Sequence, residues 1–316
     1  MTLNITFVMP SYIVQLSDRR MVSAPSGKIY DDESNKGVVV KADDGIFSVI
    51  FSGIGKYSNQ RVDLWLADQM LKEGIPELPV RDASSIIARY STDWFNTFPS
   101  NIDKRHTFTL AGWENSIHGP MPTVWRVTNS ITRDNVILEK ARDSFDAWKI
   151  SMRQSYAGFF ASGLGGAITR HSKESIQAAL RAHATPDRIE QVLVDIIKAA
   201  ASDPKWAWGI NNNILSILLA NSGKVQATYY TTHHYSRYIP PILWYEAGRD
   251  YIAGDAWITS SQNKVFQFGP MVFTAPPSNP SAQNETKLDF HFKFTNAKYK
   301  KEPLGDVNFI KIYDRK

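Results

Sequence analysis

The chain has 316 residues, no cysteine and a formal net charge of +5. Lack of cysteine excludes disulfides, thiolate metal sites and a cysteine nucleophile. An apolar fraction of 43% with 21% charged residues fits a soluble globular protein, and no apolar run approaches the roughly 18 residues needed to span a bilayer.

The amino terminus lacks the basic flank and long apolar stretch of a secretory signal, so the expectation is a cytoplasmic protein with no membrane partner. Part of the positive excess lies in the tail "KFTNAKYKKEPLGDVNFIKIYDRK". With no nucleic-acid motif beside it, that tail reads as a solvated basic edge, and no nucleic-acid partner is expected.

In chain order, "LNITFVM" places Leu3, Ile5, Phe7 and Met9 on one face of a strand, and "YIVQLS" resumes after a "PS" break as the second arm of a hairpin. "KGVVVK" and "IFSVIFSG" form a second strand pair across the turn-like "ADDG". Next come two helices, "SNQRVDLWLADQMLKEG" with a cap at Ser58 and "DASSIIARYSTDWFNTF". Strands return with "HTFTLAGW", "TVWRVTNS" and "YAGFFASG". Two further helices, "KESIQAALRAHA" and "TPDRIEQVLVDIIKAAASD", precede the closing hairpin "NNILSILLA" and "KVQATYYTT". Each strand group must bury a face and each helix pair has an apolar side to offer. The economical architecture is α+β, a four-layer αββα sandwich of two antiparallel sheets over residues 2–232. Residues 233–316 form an aromatic, β-rich carboxy-terminal extension with the low-complexity "APPSNPSAQNETK" as a loop, packed on the core or at an oligomer interface.

Threonine stands directly behind the initiator methionine. With Met1 removed, Thr2 carries a hydroxyl nucleophile and a free α-amine on one residue. The hydroxyl needs a base within hydrogen-bond reach, and an α-amine with a pKa of about 7.7–8.0 is neutral in useful share near pH 7. The first hairpin brings Asp18 back toward Thr2. An odd-residue turn or bulge puts the two on one face, whereas a two-residue turn does not. No competing site assembles: adjacent His233 and His234 point to opposite faces of a strand and the other histidines are scattered. Neither a metal nor a cofactor is expected.

The first twenty residues resemble a proteasome β-type subunit of the amino-terminal-nucleophile (Ntn) hydrolases. "SDRR" is similar to that family's "ADSR"-like motif, with no gap between Thr2 and Asp18. The resemblance implies a lysine on the next strand, salt-bridged to the aspartate and close to the threonine oxygen. Lys36 in "ESNKGVVV" is its counterpart, with Lys28 and Lys41 as alternatives. "FSGIG" resembles the glycine turn whose backbone N–H receives the oxyanion, which implies that role for Gly53. "FFASGLGGAI" resembles the "GSG" segment, which gives Ser162 a place beside the threonine amine. "KAAASDPKWAWG" resembles the "RDxxSGG" region, so Asp203 inherits the task of orienting Ser162 and the amine. Met21 and Val22, just past "SDRR", would begin the substrate groove.

The resemblance thus implies a threonine-type peptidase acting on peptide or amide bonds, without cofactor, in a self-compartmentalising homo-oligomeric ring. Nothing in the sequence demonstrates an ATPase partner. Two departures stand out: a longer loop before Lys36, and "KWAWG" where the family has a serine and glycines. They keep two rivals open, a non-catalytic assembly subunit on the same fold and a small-amide acylase.

Overall fold

The structure is a computed structural model. It describes residues 2–22, 28–58, 60–75, 78–116, 119–150, 157–231, 242–246, 249–253, 264–268, 271–275, 286–293 and 312–314. Met1, His233, His234 and the loop residues 276–285 lie outside them.

The order begins with β1 (Leu3–Val8), β2 (Tyr12–Asp18), β3 (Met21–Val22), β4 (Ile29–Asp31), β5 (Gly37–Lys41), β6 (Gly45–Ser52), β7 (Lys56–Tyr57) and β8 (Gln60–Arg61). Helices α1 (Val62–Lys72) and α2 (Val80–Asn96) follow, then β9 (Thr107–Ser116), β10 (Gly119–Thr128), β11 (Asp146–Ile150) and β12 (Gly158–Gly163). Helices α3 (Arg170–Arg181) and α4 (Pro186–Ser202) precede β13 (Ile214–Ala220) and β14 (Lys224–Thr231). Beyond them lie β15 (Ile242–Glu246), β16 (Arg249–Ala253), β17 (Lys264–Phe268), β18 (Met271–Ala275), β19 (Thr286–Lys293) and β20 (Ile312–Asp314).

Two seven-stranded sheets carry the chain, in the orders β12-β1-β2-β13-β14-β19-β20 and β11-β10-β9-β6-β5-β15-β16. Among the described residues every strand pairing is antiparallel except β15 with β5. Strands of the carboxy-terminal stretch thus extend an edge of each sheet.

Strand alternation sorts the residues into layers. Leu3, Ile5 and Phe7 of β1 and Val14 and Leu16 of β2 join Ile176 of α3 and Leu193, Val194 and Ile197 of α4 in one apolar cluster. Val38 and Val40 of β5, Phe47, Val49 and Phe51 of β6, and Phe108 and Leu110 of β9 join Trp65, Leu66, Ile87 and Phe95 of α1 and α2 in another. Between them the first sheet meets the second, with β1, β2 and β13 against β6. Gln15 ties the sheets across this seam: its amide nitrogen donates to Thr6 Oγ1 at 3.0 Å and to the Thr109 carbonyl at 3.1 Å, and Ser48 Oγ donates to its Oε1 at 2.6 Å.

Two helix starts differ from expectation. Ser58 does not cap α1; it sits at φ 54 beside the small hairpin β7–β8, and the helix begins four residues later at Val62. Helix α2 begins at Val80 rather than near Asp82, because Asp44 of the β5–β6 turn accepts from the Val80 N–H at 2.7 Å. That cap comes from a residue 36 positions away and leaves no local signature. No helix among the described residues is long and apolar enough to cross a membrane.

His106, at the entry to β9, is buried among Phe51, Phe95, Phe108 and Phe145, with ring centroids 4.4–6.4 Å away. Burial holds its imidazole neutral and pushes its pKa down to about 3. The unfolded chain protonates this group below about 6.5 while the folded one does not, so stability is complete above that value and is lost as pH falls toward 3. Between pH 7 and 5 this group alone should cost the protein about 2 kcal/mol. Urea unfolding at the two pH values is expected to show that extra loss in the native sequence and not in His106→Phe.

Candidate active site

The first hairpin closes with a two-residue turn at Pro10 and Ser11: Met9 N–H bonds the Tyr12 carbonyl at 2.8 Å and Val8 pairs with Ile13. This is the case in which Thr2 and Asp18 do not share a strand face. The register that sets Asn4 against Ser17 brings Leu3 opposite Asp18, and Asp18 Oδ2 accepts from the Leu3 N–H at 2.7 Å. Its Oδ1 accepts from the Arg20 N–H at 3.0 Å. The carboxylate is thus held at the end of the ladder, one residue from Thr2.

Lys36, immediately before β5, closes the gap. Its ammonium donates to Thr2 Oγ1 at 2.6 Å, to Asp18 Oδ1 at 3.2 Å and to the Arg20 carbonyl. An ammonium has three N–H donors, and all three are committed. Lys36 and Asp18 are fully buried, as is Thr2. Burial pushes the Lys36 pKa below the ordinary lysine range, opposed by the Asp18 charge. Burial likewise pushes the Asp18 carboxyl up, opposed by Lys36 and by the Leu3 and Arg20 N–H groups. Each charge is costly alone and stabilised by the other.

The loop that carries Lys36 is anchored by residues to which the sequence reading gave no role. Arg20 forks onto Asp32 at 2.6 and 3.1 Å and donates to the Ala207 carbonyl at 2.5 Å. Asn211 and Asn213 donate to the Asp32 carbonyl at 2.8 and 2.9 Å. Arg19 is fully buried, lies 4.5 Å over the Tyr229 ring, and donates to the carbonyls of Glu33 and Ser34. Tyr229 in turn donates to Asn35 Oδ1 at 2.6 Å. The one available signal was two consecutive arginines closing an apolar strand.

Thr2 opens onto a cavity of about 830 Å3 that is also lined by Val22, Tyr30, Gly53, Ser162 and Trp208. Gly53 sits at φ +117, and a Cβ there would lie 2.5 Å from the Arg105 carbonyl oxygen, so no other residue fits without strain. Gly163, at φ +75, lines the same cavity, and a Cβ there would lie 1.9 Å from the Thr2 carbonyl oxygen. That carbonyl accepts from the Leu164 N–H at 2.7 Å. Of the two groove candidates, Val22 lines the cavity, while Met21 is buried under Gly55 and accepts a bond from the Tyr30 hydroxyl.

Ser162 is buried beside Thr2 in the cavity wall, and its hydroxyl has no hydrogen-bond partner among the described residues. Asp203 is not brought to it. It ends α4 in an exposed position, where its carboxylate accepts from the Lys205 N–H at 2.9 Å. The "KWAWG" segment folds back on Asp203, with the Trp206 and Ala207 N–H groups bonding the Asp203 carbonyl at 2.8 and 2.9 Å. Trp206 packs against Gly166, and Trp208 reaches the cavity rim. The structure thus brings together Thr2, Asp18, Lys36, Gly53 and Ser162, and leaves Asp203 outside. Of the two alternatives, Lys41 donates to the Ala42 carbonyl.

No protein-family model and no curated protein matches the chain. Among solved structures it is similar to a Gly-1 mutant of Anbu from Hyphomicrobium sp. strain MC1, with 10% identity, a TM-score of 0.45, and coverage of 70% of this chain and 82% of that one. It is also similar to Anbu, described as an ancestral beta-subunit, from Yersinia bercovieri (11%, 0.45, 68% and 80%). A third is Thiobacillus denitrificans BPH in complex with epoxomicin (13%, 0.39, 70% and 100%). Likeness this distant leaves the chemistry to the site itself.

Breaking the buried ion pair from one side should be worse than removing it whole. Lys36→Met, which strands the Asp18 carboxylate, is expected to cost about 3–5 kcal/mol in urea unfolding. The double variant Lys36→Met with Asp18→Asn should recover a large part of that loss.

Proposed function

We propose that the protein is an amino-terminal threonine amidohydrolase of proteasome-like type, on the four-layer αββα Ntn-hydrolase fold, with residues 2–232 as its catalytic domain. The observation that carries this reading is the Lys36 ammonium, 2.6 Å from Thr2 Oγ1 and 3.2 Å from Asp18. An ammonium whose three protons are all engaged cannot act as the base. It lowers the cost of a threonine alkoxide, and Asp18 keeps it charged and in place.

Once Met1 is removed, the α-amine of Thr2 takes the proton from its own hydroxyl, directly or through a water. Oγ1 bonds to the substrate carbonyl carbon, and the oxyanion is received by the Gly53 N–H. The carbon–nitrogen bond then breaks, the leaving amine takes the proton, and an ester remains on Thr2. Water hydrolyses that ester and restores the hydroxyl. Ser162 stands where it can hold the amine. A cavity of about 830 Å3, lined by aliphatic and aromatic side chains such as Val22, Ile54 and Trp208 together with hydroxyl and charged ones, suits a peptide segment, and a homo-oligomeric ring would keep such a site from indiscriminate proteolysis.

One observation favours a second reading, a non-catalytic assembly subunit: Asp203, which would orient Ser162, is exposed and bonded to its own loop.

Intact mass and covalent labelling separate the two. A hydrolase is expected to lack the mass of one methionine and to take up one equivalent of a peptide epoxyketone, with Thr2→Ala taking none. Lys36→Met should slow peptide hydrolysis by about 100- to 1,000-fold. The rate should rise with pH through about 7.7–8.0 as the α-amine loses its proton. Retained Met1 with no labelling would establish the assembly reading instead.

A further inference from the structure

The displacement of Asp203 leaves Ser162 with nothing to fix the direction of its hydroxyl, and the register of the first sheet supplies a replacement. Asn4 lies directly opposite Ser162 across β1 and β12, and directly opposite Ser17 across β1 and β2. Residues opposed in an antiparallel ladder project to the same side, with Cβ atoms about 4.5–5.5 Å apart. Leu3 and Ile5 face the helix-side cluster, so Asn4 alternates to the other face and shares it with Thr2, two residues before it.

Asn4 is 1% exposed and Ser162 5%. Both polar atoms of the Asn4 amide, and the Ser162 hydroxyl, lack a partner among the described residues. Ser17, the third member of the row, already donates to the Asp18 carbonyl at 2.9 Å. An amide and a hydroxyl buried side by side without partners among the described residues are costly, and each calls for an explanation such as a catalytic role or a bound water. Ser162 lines the Thr2 cavity and Asn4 stands behind it.

We infer that Asn4 is the positioning residue for Ser162 in this chain, taking the role for which Asp203 is misplaced; the inference rests on Thr2 as the nucleophile. Since the two groups are not bonded to each other directly, one bridging water carries the hydrogen bond from the Ser162 hydroxyl to Asn4 Oδ1. The Ser162 oxygen then remains an acceptor for an N–H of the Thr2 amine, which turns the amine lone pair toward Thr2 Oγ1. No bond to substrate forms at either residue. A neutral amide does this without adding charge to a buried site that already holds the Lys36–Asp18 pair.

The test compares the rate of epoxyketone labelling at Thr2, as a function of pH, in the full chain and in Asn4→Leu, Asn4→Ala, Asn4→Thr, Ser162→Ala and Asp203→Asn, with thermal unfolding alongside. Asn4→Leu should slow labelling at least tenfold, displace the pH midpoint by more than half a unit, and leave the melting temperature equal or higher. Loss of function with gain of stability is not what a merely structural residue produces. Asn4→Ala should slow labelling similarly, which keeps the test open if leucine does not fit. Asn4→Thr, which keeps an oxygen at the position, should recover most of the rate. Ser162→Ala should match Asn4→Leu, the two should not add, and Asp203→Asn should stay within twofold of the native protein. Labelling unchanged in Asn4→Ala, or slowed as much by Asp203→Asn, overturns the inference while leaving Thr2 as nucleophile. A native protein that takes no label overturns both.

Discussion

A lysine ammonium buried almost completely from water is the constraint around which the amino-terminal half of this protein is organised. Taking such a charge out of water costs several kcal/mol even after relaxation, and the fold returns that cost only by surrounding it completely. Three acceptors do so: a hydroxyl, a carboxylate and a backbone carbonyl, each drawn from a different residue of the 2–20 hairpin. The hydroxyl is the chemically interesting one. A threonine oxygen that faces a dehydrated ammonium is prepared to carry negative charge in a way that no solvent-exposed threonine is.

Such precision needs a rigid loop, and residues 31–36 are rigid because they are tied at several points. Arg19 and Arg20 point to opposite sides of the chain and grip the loop between them, one through carbonyls and the other through Asp32. The second layer of ties runs to the β13 end through Asn211 and Asn213, and to β14 through Tyr229. The Lys36 position therefore depends on strands nearly 200 residues away in sequence. A long loop before the lysine is tolerated because its length is spent on anchors.

The opposite wall has a different construction. Gly53 and Gly163 both adopt left-handed backbone where a side chain would collide with a carbonyl, so main chain forms the cavity lining there. Behind Gly53 lies the phenylalanine nest around His106. Beyond the glycines, the two tryptophans of "KWAWG" divide their duties: Trp206 packs on Gly166 and Trp208 stands at the mouth. This aromatic segment folds back on Asp203, whose carboxylate stays exposed.

The sequence by itself determined the order of strands and helices, because alternation in "LNITFV" and helical spacing in "IEQVLVDII" are local properties that follow from which side chains must avoid water. It also nominated Thr2, Asp18, Lys36, Gly53 and Ser162 as candidates, because the chemistry of each residue type and the spacing of the motifs both survive in one dimension. Tertiary structure decided the rest. A two-residue turn placed Thr2 and Asp18 on different faces, and only Lys36, arriving from another strand pair, could join them. A cap from Asp44 moved the start of α2, and a loop folding on itself carried Asp203 away from Ser162. The Asn4–Ser162 row exists only as a register between strands separated by about 150 residues. Hydrogen-bond partners of this kind are chosen by three-dimensional proximity, and no periodicity along the chain encodes them.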